Sequence, residues 1–134
     1  MKYFVDTNIF LRFLTRDQEK QYQSIKLFLK NAPQKKINLI TSALVIFEII
    51  WTLLSYYEES KEDIIDKVTS LLELPSLEVE HKEVFLESLA IWQQTNIDFN
   101  DAFNYVWARK KNTDIICSFD KHFDKLPQLS RSEP

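Results

Sequence analysis

The 134-residue chain contains no glycine at all. That excludes the glycine-rich phosphate loops, both the P-loop and the dinucleotide fingerprint, whose backbones must approach a phosphate without a Cβ in the way. Any handling of phosphate therefore falls to a metal ion or to basic side chains. Cysteine is nearly absent too. The single Cys117 leaves no internal disulfide framework and suits a reducing cytoplasm. It sits in an apolar strand candidate and reads as core rather than as a nucleophile. Of the two histidines, His81 reads as a helix-start residue and His122 as a surface one. A net charge of −3 argues against nucleic-acid binding by sheer basicity. That objection weakens if several acids share a site that a divalent cation neutralises. Long apolar runs are missing as well. The longest, Ala43 to Tyr57, has 15 residues and contains Glu48, so it is too short for a bilayer, and a mid-helix acid would be costly there. No membrane association is expected. Nor is a signal peptide, because Asp6 interrupts the N-terminus before an apolar core can form.

What is present suits one globular domain over residues 1–134. The chain is 45% hydrophobic and 13% aromatic, and this length buries about two-thirds of the unfolded surface. Lys2–Val5 reads as a strand, with Asp6 or Thr7 capping a helix through Leu14. A second helix fits Asp17–Asn31, and Ile37–Ile40 is a strand candidate before the apolar helix capped by Thr41 or Ser42. Ser60 opens a helix that Pro75 stops, and Leu77–Val79 is a weak strand. His81–Thr95 and Asp101–Lys111, the latter capped by Asn100, are further helices. Asp114–Ser118 is a strand, followed by a helical turn after Asp120. The alternation argues for an α/β sandwich around a mostly parallel sheet. Only residues 130–134 read as a frayed tail.

Four acids stand apart from the ordinary polar faces. Asp6 follows the first strand directly, and Asp120 follows the strand "DIICSF". Asp101 opens a helix just before Ala102 and Phe103. Glu48 lies inside "ALVIFEIIWTLL", where a buried carboxylate costs several kcal/mol unless paired or metal-bound. Taken singly, Asp6 and Asp101 could be helix caps, Asp120 a turn residue and Glu48 half of a buried ion pair. Parallel strands, however, deliver their C-terminal ends and the following helix starts to one sheet edge. Carboxylates gathered there repel by roughly 4 kcal/mol per close pair at an effective dielectric near 20. A cation relieves this, and oxygen-only ligands favour Mg²⁺ or Mn²⁺.

In order, "VDTNIFLRFL", "TSALVIFEIIWTL", "DFNDAFNYVWA" and "IICSFDKHFDKLP" resemble the four acidic blocks of PIN-domain ribonucleases, and among them the VapC-type toxins of bacterial toxin–antitoxin pairs. The resemblance spans about residues 3–129. It implies a PIN-like three-layer sandwich, with a short, mostly parallel sheet of four to five strands flanked by about seven helices. It also implies Asp6, Glu48, Asp101 and Asp120 as the metal-site and catalytic acids, with Asn8 and Ser118 as supporting polar residues. The implied activity is Mg²⁺- or Mn²⁺-dependent endoribonucleolytic hydrolysis, leaving a 5′-phosphate and a 3′-hydroxyl, in the cytoplasm. An antitoxin and a homodimer are the implied protein partners. Two departures stand out. Lys111-Asn112-Thr113 occupies a place where the family usually has glycine, and His122 stands where an acid is common. Asp98 and Asp124 are nearby acids and further candidates for a direct role.

An RNA backbone needs positive charge around such an acidic site, and Arg12, Arg16, Arg109 and Lys121 are the candidates near the four acids. Setting those acids aside leaves a mildly basic remainder. The aromatics Trp51, Tyr56, Tyr57, Trp92 and Trp107 read as core or interface, and the helix ending at Tyr56 and Tyr57 as a dimer or antitoxin contact. The competing reading is a non-catalytic PIN-like module that binds RNA or a protein. An aspartyl-phosphate phosphatase or a phospho-acceptor receiver is disfavoured: the former needs a second acid two residues after Asp6, where Asn8 stands, and the latter paired acids after the first strand.

Overall fold

Side-chain oxygens placed just before apolar stripes start several helices, and short strands link them. The computed structural model describes all residues 1–134. Its fold is α/β with every strand pairing parallel. Two compact units, Met1–Lys82 and Glu83–Pro134, are taken in turn.

The first unit runs β1 (Lys2–Phe4), α1 (Thr7–Thr15), α2 (Glu19–Asn31), β2 (Asn38–Thr41), α3 (Ala43–Ser55), α4 (Lys61–Leu72) and β3 (Leu77–Val79). Its sheet has the order β1-β2-β3, with Lys2 opposite Asn38 and Leu39 opposite Leu77. All three strands therefore end at one edge, where Asp6, Ser42 and Glu80 follow. The buried Thr41 hydroxyl donates to the Val5 carbonyl at 2.8 Å, fixing the backbone just before Asp6. Ser42 Oγ accepts from the Val45 N–H at 3.3 Å, and Glu80 Oε1 from the Ala43 N–H at 2.9 Å. The start of α3 thus has two side-chain acceptors. Ser60 Oγ caps α4 through the Asp63 N–H, as its spacing suggests.

Helix α3 buries Val45, Ile46, Ile49, Ile50 and Leu53, while Leu44, Glu48, Trp51 and Leu54 are exposed. This corrects the expectation for Glu48. The helix is apolar nearly all round, but only one stripe is covered, and Glu48 lies on the other. No desolvation penalty constrains it.

The second unit contains α5 (Lys82–Gln94), which starts at the boundary, α6 (Phe99–Lys110), β4 (Ile115–Cys117), a 3-10 turn (Lys121–Lys125) and β5 (Ser130–Ser132). Phe85 packs against Phe99 and Phe103 with centroids 6.2 and 4.9 Å away, and Trp92 meets Phe99 edge-on at 5.5 Å. Trp92 is buried, as expected of a core aromatic, whereas Trp51, Tyr56 and Trp107 are exposed.

Four expectations are corrected. The five strands form two sheets, of three and two strands, because the ladder partner of β4 is β5. The connection over 118–129 has about the dozen residues that a parallel crossover requires. Ser130–Ser132, expected to fray, is that partner. Helix α6 begins at Phe99 with Asp98 at its N-cap, not at Asn100. Cys117 is exposed, not core, because β4 is a short strand with little cover. The seven or so helices resolve to six α-helices and the 3-10 turn. No helix is long and apolar enough to cross a membrane.

Candidate metal centre

In the first unit, β1 and Val5 deliver Asp6 to the N-cap of α1, where its Oδ1 accepts from the Thr7 N–H at 2.8 Å. The Thr7 hydroxyl donates to Glu48 Oε2 at 2.8 Å. One threonine therefore holds both carboxylates, through its backbone and its side chain. Thr7 read in the sequence as a helix cap and not as a site residue. The signal was there: it is a polar residue just beyond the end of β1.

In the second unit, Asp101 sits in the first turn of α6, three residues after Asp98. Asp120 follows β4, and its N–H donates to Ser118 Oγ at 2.9 Å. Asp120 Oδ1 accepts from the His122 N–H at 2.9 Å and lies 3.1 Å from His122 Nδ1. One ligand atom each from Asp101, Asp120 and His122 lies within 4.8 Å of the others. Burial pushes the Asp101 carboxyl above its ordinary range, and the charges of Asp120 and Asp98 push it further, with His122 opposing. Such a half-buried group beside like charges is what a cation relieves. His122 is exposed, as its sequence suggests, and it also belongs to the cluster. Its spacing of two from Asp120 was the available clue, since a turn folds i+2 back on i.

Asp124 is engaged elsewhere. Arg131 donates to its two oxygens at 2.9 and 3.3 Å, and this partner holds the carboxyl below the ordinary range. Arg131 Nη1 also donates to the Ser118 carbonyl at 2.9 Å, so β5 braces the loop that carries Asp120.

The candidate RNA contacts are mostly paired with the chain's own acids. Arg12 meets Asp17 at 2.9 Å, and Arg109 meets Glu87 at 3.3 Å. Arg16 is not within α1 but caps it in the left-handed conformation, its guanidinium held by Glu19 and stacked over Tyr22 at 4.3 Å. Lys121 is exposed at the start of the 3-10 turn. Asn8 is exposed in the first turn of α1.

A family model for the PIN domain matches residues 3–129. A VapC ribonuclease of Aquifex aeolicus is 30% identical over 122 residues, covering 91% of this chain and 90% of that protein. Two solved structures are similar at low identity. VapBC2 from Rickettsia felis, bound to a promoter DNA fragment, is 20% identical with a TM-score of 0.41, covering 99% of this chain and 98% of its own. VapC20 of Mycobacterium tuberculosis, described as a sarcin–ricin-loop cleaving toxin, is 16% identical with a TM-score of 0.43, covering 96% and 97%.

Proposed function

Since the chain belongs to the PIN domain family, we propose that it is a divalent-metal-dependent endoribonuclease, the toxin of a toxin–antitoxin pair acting in the cytoplasm. The observation that carries the reading is the convergence of Asp101, Asp120 and His122, with Asp101 held above its ordinary range. This donor set fits a divalent cation. Its carboxylate oxygens suit Mg²⁺ or Mn²⁺, and the imidazole offers a further ligand atom. Asp6 and Glu48 are the remaining proposed metal-site acids. When bound, the ion makes water more acidic and offsets charge on the scissile phosphate.

The chain's own residues do the positioning. Thr7 orients Glu48 and restrains Asp6. Ser118 fixes the Asp120 backbone, and Arg131 fixes Ser118. Asn8, two residues after Asp6, offers an amide that would orient the ligands. The proposed reaction requires no histidine base, in keeping with a chain of only two histidines. Hydrolysis to a 5′-phosphate and a 3′-hydroxyl is the expected outcome. The exposed Leu44, Trp51 and Leu54 of α3 support a second copy or an antitoxin as the cover of that helix.

The test incubates the protein with structured and unstructured RNAs, with Mg²⁺ or Mn²⁺ and with EDTA, beside Asp6→Asn and Asp101→Asn. Metal-dependent cleavage lost in both variants is expected. Cutting that persists in EDTA, or that equals wild type in the variants, overturns the assignment. RNA bound but never cut, with the metal-site acids intact, favours the non-catalytic module.

A further inference from the structure

The geometry points to a nucleobase subsite in the cleft between α1 and the C-terminal end of α3, which would seat a base flanking the cleaved bond. This rests on the ribonuclease reading and names a feature of the substrate that the acids alone do not determine. The cleft has a volume of about 500 Å³ and is lined by Asn8, Arg12, Gln18, Thr52, Tyr56 and Tyr57. That lies within the roughly 300–1,000 Å³ typical of small-molecule sites.

Two helical stripes lead to it from the acids. On α3 and its C-cap, Glu48, Thr52 and Tyr56 recur every four residues, and on α1 Asn8 and Arg12 are likewise four apart, beginning two residues after the capping Asp6. Thr7 ties the two stripes together where they begin, through its 2.8 Å bond to Glu48. Eight residues of helix rise separate Glu48 from Tyr56, about 12 Å, which suits a neighbouring nucleotide rather than the reacting phosphate itself.

The lining chemistry selects a base over a phosphate. Arg12 Nη1 is 2.9 Å from Asp17 Oδ2, and the Tyr57 hydroxyl donates to the same oxygen at 3.0 Å. The arginine charge is therefore offset within the cleft, and no net positive charge remains to hold a phosphate. What remains are neutral groups suited to an aromatic ring with a polar edge. The Asn8 and Gln18 amides can each donate and accept. Tyr56 is 77% exposed, yet its ring lies edge-on against Tyr57 with centroids 5.0 Å apart. A fixed, open aromatic face beside amide edges is how unstacked single-stranded bases are bound. Tyr56 thus reads differently from the core or interface role its sequence suggests.

The experiment titrates the four nucleoside 5′-monophosphates, and ribose 5-phosphate as a base-free control, into the metal-free protein. Chemical shifts of the Tyr56 and Tyr57 ring protons report the binding. Saturable shifts are expected with at least one nucleotide and none with ribose 5-phosphate. Tyr56→Ala should weaken binding about 5- to 100-fold, and Tyr56→Phe should retain it. In RNA cleavage, Tyr56→Ala should raise KM with little change in kcat and relax the preferred base beside the cut. Equal shifts from ribose 5-phosphate, or unchanged binding, KM and cut-site preference in Tyr56→Ala, overturn the subsite. Base binding without any cleavage by the wild type removes the ribonuclease reading and leaves the subsite standing.

Discussion

Asp101 sits in an electrostatic conflict. Burial, Asp120 and Asp98 raise its pKa above the ordinary carboxylate range, and only His122 opposes them. A raised folded-state pKa means that the folded protein binds this proton more tightly than the unfolded chain does. The stabilising contribution is present below the ordinary pKa and is lost as pH rises through the raised one. Without metal, Asp101→Asn should therefore melt at a higher temperature than wild type at about pH 7, and the gap should close towards about pH 4. With Mn²⁺ at 100 times its Kd the order should reverse, because wild type gains about 2.7 kcal/mol that the variant lacks. Thermal melts in EDTA and in metal check both arms. Glu48 makes a different prediction because it is exposed. Glu48→Gln should change stability by no more than about 0.5 kcal/mol, measured by denaturant unfolding. Its cleavage rate should nonetheless fall more than about 100-fold, beyond the usual cost of losing a mere supporting residue. The residue type and position of Glu48 were legible in the sequence, but its burial was not. A helix that is apolar all round does not reveal which stripe its neighbours cover.

Without glycine, the turns of this fold fall to side chains that carry a Cβ. Arg16, Lys36, Glu58, Ser76, His81, Asn112 and Gln128 all have positive φ, between 52° and 71°. For residues other than Asn or Asp, the left-handed region costs roughly 1–2 kcal/mol. Lys36, at φ 56° between α2 and β2, is exposed and outside the proposed site. Lys36→Gly removes that cost but adds about 0.5–1 kcal/mol of unfolded-chain entropy. A net gain of about 0.5–1 kcal/mol is expected, read as a melting temperature higher by a few degrees. Asn112→Gly should be nearly neutral, because asparagine tolerates this region. An equal effect at the two positions would sink the strain argument. Helices were legible because caps such as Ser42 and Ser60 precede clear apolar stripes. The partition of the strands was not, since three-residue segments carry too little alternation to specify a partner. Ser130-Arg131-Ser132 has no strand-like composition at all. Its place is fixed by the ladder to β4 and by Arg131 bridging Asp124 and Ser118, contacts that sequence pattern does not display.

At the scale of the whole chain, charge and pairing together set how RNA would be held. The net charge is −3, and all four arginines, with Lys67 and Lys110, are already engaged. Arg12 pairs with Asp17, Arg16 with Glu19, Lys67 with Glu59, Arg109 and Lys110 with Glu87, and Arg131 with Asp124 and Glu133. A cation that must leave an internal partner to reach a phosphate gains little from the exchange. Binding through released counterions should therefore be weak, with about three phosphate contacts or fewer. For single-stranded RNA that corresponds to a slope of log K against log salt no steeper than about −2. Divalent metal should matter more than monovalent salt, because it cancels the acids that otherwise repel the backbone. Fluorescence anisotropy of a labelled single-stranded RNA, with Asp120→Asn and wild type compared in Mn²⁺ and in EDTA, measures both dependences. Wild type, read by stopped flow before the RNA is cut, should bind more tightly in Mn²⁺ than in EDTA, and the variant should lose most of that gain. A slope near −5 that is indifferent to metal would place the affinity in a basic surface instead and would remove the metal centre from substrate binding.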